Sequence, residues 1–119
     1  MLSERYTQNV LSEQLPEPGT WHPFPTLQQR DAWEALPPEV RTTYLDRGTA
    51  LLGHEWPATP ATLFLEYARN GNRSRYQTVR YARRHALRDL VLAECIEGEG
   101  QFLDDIVNGI WTTCEETYW

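Results

Sequence analysis

Lysine is absent from the 119-residue chain, so every cationic side chain other than histidine is one of 11 arginines. Arginine's planar fork makes bidentate contacts with carboxylates and phosphates that an ammonium group cannot reproduce. Its exclusive use fits tight ion pairing and fits codon-usage bias equally well. Proline is absent after Pro60, so nothing in the second half blocks long helices. Only two cysteines are present, Cys95 and Cys114, too few for a disulfide framework or a four-cysteine zinc site. Apolar runs stay well short of the ~18 residues of a membrane span, so no membrane partner is expected. The first 30 residues lack the continuous apolar core of a signal peptide. Strand-like alternation, hairpin signals, internal repeats, a P-loop, a GxGxxG turn and a Ser-His-Asp pattern are also missing.

What is present points to a folded, all-α chain. A hydrophobic content of 40% is too high for disorder, and the length suits one domain. Residues 1–25 read as an irregular lead-in punctuated by Pro16, Pro18, Gly19, Pro23 and Pro25. Thr26 opens a short helix through Leu36, and Pro37 and Pro38 start the next, running to about Leu52. After a turn at residues 53–57, Thr59-Pro60 reads as an N-cap followed by a first-turn proline. That helix stops at Asn70-Gly71-Asn72, and Ser74 with Gln77 forms a capping-box pattern for the one that follows. Tyr76, Val79, Leu87, Leu90, Val91 and Cys95 give the latter an apolar face, ending at residues 97–100. In the last helix, Leu103, Ile106, Val107, Ile110 and Cys114 repeat at the spacing of a buried stripe. Glu115 and Glu116 fall in its final turn, where the helix dipole disfavours them, and the element reads as cut short.

Charge is segregated along the chain. Residues 1–68 carry a balance of −5, residues 69–88 hold seven arginines and no acid, and residues 89–119 hold eight acids and no arginine. Arg80, Arg84 and Arg88 recur at i, i+4, i+8, a mutually repulsive spacing that calls for an external counter-charge. Pairing with the acids of residues 89–119, folded back antiparallel, meets that need; a polyanion would meet it too. The acidic total weighs against nucleic acid, which requires a net basic face.

At about 100° per residue, Asp104, Asn108, Trp111, Glu115 and Tyr118 share one helix face. Aromatic rings interleaved with carboxylates and an amide suit a sugar: the rings stack on the pyranose face while the polar groups bond its hydroxyls. An ordinary polar surface carrying two half-buried rings accounts for the same pattern. Glu115 and Glu116 point about 100° apart, which argues against their flanking one glycosidic bond. A substrate contact, or a buried carboxylate pairing with arginine, fits them better. Gly109, mid-helix, costs about 1 kcal/mol relative to alanine and implies close approach by a neighbouring element or a ligand. His22, His54 and His85 have no ligand-spaced partner, so neither a metal site nor a cofactor is expected, and both cysteines read as buried thiols.

The second half carries a longer string. Residues 60–73 (PATLFLEYARNGNR) lead into Arg83-Arg84 and residues 90–97 (LVLAECIE). Gly100, residues 102–106 (FLDDI), residues 108–111 (NGIW) and Cys114-Glu115-Glu116 with Trp119 follow. Leu36-Pro37, Glu39, Arg41 and Trp56-Pro57 extend it upstream. This string resembles the N-terminal helical region of bacterial heparinase II/III-like proteins, a group related to polysaccharide lyases, over residues 36–119.

The resemblance implies helical hairpins forming the first part of an (α/α)6 toroid, with a β-sandwich beyond. Residues 1–35 are then a lead-in with a short helix, and residues 36–119 a partial, truncated toroid domain. It also implies a parent enzyme that cleaves uronic-acid polysaccharide by β-elimination, so the expected partner is an acidic oligo- or polysaccharide. In the family the Asn, His and Tyr of that reaction lie further along the chain, so no catalytic residue is assigned and the 119 residues alone are expected to be inactive. Asn108, Trp111, Glu115, Glu116 and Trp119 match the family string and are the candidates for lining the cleft. A toroid helix without its neighbours exposes apolar surface, so self-association is a further expectation. Localisation is cytoplasmic by default, although related proteins are often periplasmic or secreted. The alternatives are a small helical protein-interaction module and a fragment of an (α/α)6 glycoside hydrolase, since a fold does not fix its chemistry.

Overall fold

The computed structural model describes residues 5–17 and 19–116, and these contain helices and no strand. Six helices follow in order: α1 (Gln8–Gln14), α2 (Arg30–Glu34), α3 (Pro38–Thr49), α4 (Ala61–Asn70), α5 (Ser74–Glu97) and α6 (Leu103–Cys114). None is long and apolar enough to cross a membrane.

The lead-in is less irregular than its prolines suggest. Thr7 accepts a hydrogen bond from the Val10 amide at 3.4 Å and caps α1, a helix that buries no residue. Thr26 does not cap α2, which begins at Arg30. Instead its carbonyl accepts from the indole Nε1 of Trp33 at 3.0 Å, pinning the only residue that α2 buries. The start of α4 also shifts: Pro60 is itself the N-cap, and Thr59 lies one residue outside. At α5 the capping box does not form. Arg73 is the N-cap, without a side-chain cap, and the Arg75 amide donates to Asn72 Oδ1 at 3.3 Å. The helix ends match the sequence better: Gly71 and Gly98 both sit at φ 77° in the left-handed region.

The centre of the fold is α5, against which α3 packs on one side and α6, folded back through residues 98–102, on another. Leu90 and Ala93 of α5 meet Phe102 and Ile106 to form the core, with Leu51, Trp56 and Leu87 packed around it. Gly48 permits the α3–α5 crossing, because a Cβ there would collide with the Ala93 methyl and crowd the Phe102 ring.

Two charged side chains, Glu94 and Arg30, secure the end of α5 and the turn into α6. The buried Glu94 carboxylate accepts from the amides of Gly100 (2.9 Å) and Phe102 (3.3 Å), placing negative charge at the start of α6. Arg30 donates to the carbonyls of Cys95 and Ile96, both at 2.7 Å, so a cation from α2 caps the end of α5.

The buried faces differ from the apolar periodicity. On α5 the buried set is Arg83, Ala86, Leu90, Ala93, Glu94 and Ile96, while Val91 is exposed. Hydropathy reads Arg83 and Glu94 as surface residues, but each is buried against a specific polar partner. On α6 the correction is larger. Only Ile106 of the expected stripe is buried; Leu103, Val107, Ile110 and Cys114 are exposed, Val107 by 60%. The helix docks instead through a narrow side made of Ile106, Gly109 and Thr113. The radius of gyration is 19.5 Å, against roughly 13–14 Å for a compact domain of this length. Leu103, Val107 and Ile110 leave one apolar face of α6 without cover among the described residues.

Candidate functional site

The outward side of α6 holds three of the five residues singled out for the cleft. Asn108, Trp111 and Glu115 are all exposed, Trp111 by 69%, and the Trp111 indole Nε1 donates to Glu115 Oε1 at 2.9 Å. The bond fixes the ring's orientation and leaves its faces open. Asp104 is exposed on the same helix, while Tyr118 and Trp119 lie outside the described residues. An exposed indole beside a carboxylate and an amide can stack on a sugar ring and bond its hydroxyls.

Glu116 is a different case. Its side chain is fully buried and does not join that face. Three guanidiniums from α5 converge on its carboxylate: Arg84 at 3.0 Å, Arg83 at 3.4 Å and Arg80 at 3.5 Å. The residue assigned to the cleft by resemblance is thus the buried carboxylate paired with arginine. Arg83 also donates through Nε to the Pro57 carbonyl at 2.6 Å and through a terminal nitrogen to the Thr112 carbonyl at 3.5 Å. These contacts explain an acid at the negative end of α6: the arginines supply the compensating charge there. Among the described residues, three cations meet one anion in this cluster.

The remaining arginines of the basic segment divide. Arg88 pairs with the adjacent Asp89 at 2.7 Å, and Arg75 with Glu66 at 2.8 Å. The i, i+3, i+4 relation of Arg80, Arg83 and Arg84 was the available sequence signal for the cluster. It was obscured because Arg83 interrupts the i, i+4, i+8 series formed by Arg80, Arg84 and Arg88.

Gly109 lies against a neighbouring element of the same chain. A Cβ there would fall 2.5 Å from the Trp56 ring and 3.0 Å from Leu87. Of the two thiols, Cys114 is exposed, contrary to the expectation of burial. Cys95 is half-buried, and desolvation together with the nearby Glu94 pushes its thiol above the ordinary value, with Arg30 pulling the other way. No group of three or more metal-ligating side chains is found among the described residues.

These features define an all-helical element with an exposed polar-aromatic helix face and a buried arginine–carboxylate cluster behind it. Compared with known proteins, the chain matches no family model and no curated protein.

Proposed function

We propose that this chain is the N-terminal helical segment of a heparinase II/III-like carbohydrate-active protein, forming the first hairpins of an (α/α)6 toroid. The whole protein is then a lyase that cleaves uronic-acid polysaccharide by β-elimination, and the segment contributes binding surface. Two things support this: the residue resemblance over residues 36–119, and the joint exposure of Asn108, Trp111 and Glu115 on one side of α6. The second carries the structural part of the reading. A solvent-exposed indole held by its own hydrogen bond is a ready stacking platform for a pyranose, flanked by groups that bond hydroxyls.

In β-elimination one group neutralises the uronate carboxylate, a base removes the C5 proton, and an acid protonates the departing glycosidic oxygen. No residue of the segment is assigned to those steps. The test is to incubate the protein containing this segment with uronic-acid polysaccharides and follow the ultraviolet absorbance of unsaturated uronides. New unsaturated chain ends support the lyase. Release of reducing sugar without unsaturation would make the parent a hydrolase and overturn the elimination chemistry.

A second reading has its own observation. Leu103, Val107, Ile110 and Cys114 form an exposed i, i+4, i+7, i+11 seam, the pattern by which a helix docks on another helix. In a protein-interaction module that seam would be the functional surface; in the toroid it would be covered by further helices.

A further inference from the structure

We propose that the cleft between α4 and α5 is a binding site for a carboxylate carried on a six-membered ring, either an acidic sugar or an aromatic acid. It is lined by Phe64, Tyr67, Arg73, Tyr76, Gln77 and Arg80 and encloses about 210 Å3. That is below the roughly 300–1,000 Å3 of pockets that take drug-sized ligands, and it suits a single ring. The Phe64 and Tyr76 rings meet edge-on, centroids 5.5 Å apart at 72°, and form an apolar wall. Tyr67 is 59% exposed, leaving its ring accessible to a ligand.

The polar side of the cleft is cationic. Two of its six lining residues are arginines and none is an acid. Glu66, on α4, is engaged by Arg75, and Glu116 is held in the buried cluster. Arg73 makes no ion pair among the described residues, and it occupies the N-cap of the 24-residue α5 without capping it. The positive end of that helix dipole therefore adds to the two guanidiniums. Arg80 is oriented from behind by its 3.5 Å contact with the buried Glu116 carboxylate. Guanidinium forks recognise carboxylates bidentately, the exposed Tyr67 ring packs against the face of a six-membered ring, and the Gln77 amide can bond a ring substituent.

None of this involves Asn108, Trp111 or Glu115, and the site stands whether or not the polysaccharide reading holds. The test is titration of the chain with glucuronate, benzoate, glucose and inorganic sulfate, following the Tyr67 and Tyr76 ring resonances by NMR. Saturable shifts with glucuronate or benzoate are expected. Arg73→Gln and Tyr67→Ala, both at exposed positions, should each weaken them about tenfold while helicity by circular dichroism is retained. Tighter glucuronate assigns the site to acidic sugars, and tighter benzoate to aromatic acids. The proposal is overturned if neither binds, if glucose or sulfate binds as well as both, or if the two variants leave affinity unchanged.

Discussion

Gly109 and Trp56 interlock through the absence of a side chain: a Cβ at position 109 would lie 2.5 Å from the indole Cη2 and 2.6 Å from Cζ2. The α6 backbone thus lies directly against the ring, and this contact selects the narrow side of α6 that faces inward. Gly109→Ala gains about 1 kcal/mol of helix propensity. The methyl must push a ring that is itself packed beside Leu87, and overpacking of this kind costs about 1–3 kcal/mol or more. The net expectation is a lower unfolding midpoint in urea. An unchanged or raised midpoint would show that the ring moves freely.

Glu116 is expected to matter for folding more than any exposed acid. Glu116→Gln removes the only anion that touches Arg80, Arg83 and Arg84 among the described residues. Breaking a buried pair from one side costs about 3–5 kcal/mol. Glu115→Gln, at an exposed position, should stay within about 0.5 kcal/mol. Chemical denaturation of the two variants at one pH separates them. Equal effects would mean that the cluster contributes no more than a surface contact.

The two thiols should differ in rate. Thiolate is the reacting species, and Cys95 is disfavoured from ionising by burial and by Glu94. Cys114 is exposed. Timed alkylation with iodoacetamide near pH 8, read by peptide mass spectrometry, should modify Cys114 first. Faster labelling of Cys95 would indicate that the Arg30 charge outweighs desolvation.

The uncovered seam of α6 predicts association between chains. Val107→Asp places a charge at an exposed apolar position and should change stability by no more than about 0.5 kcal/mol. It should also reduce concentration-dependent association in sedimentation velocity. A wild-type chain that stays monomeric at high concentration would contradict the docking role of the seam.

Helix number and most boundaries after residue 36 were legible because proline and glycine punctuate the chain, and left-handed caps at Gly71 and Gly98 follow from composition alone. The helix Gln8–Gln14 was hidden among prolines because its signal is a single threonine cap. Facing was not legible. Periodicity assigns Leu103, Val107 and Ile110 inward, yet the contact surface is set by Gly109 against Trp56, a tertiary fit across more than fifty residues of sequence. Arg83 and Glu94 escaped for a related reason, being buried by partners that hydropathy does not contain, whereas a buried carboxylate pairing with arginine was among the readings of Glu115 and Glu116. Asn108, Trp111 and Glu115 were legible as a group because they lie on a single helix, where spacing alone fixes a shared face.

The function proposed for this chain requires that face to recognise an acidic saccharide. The most direct measurement is titration of the folded chain with uronic-acid oligosaccharides, following tryptophan fluorescence in the wild type and in Trp111→Phe. A saturable change in the wild type that is lost in the variant is the predicted result. No change in the wild type at millimolar oligosaccharide, or an equal change in both, would contradict it.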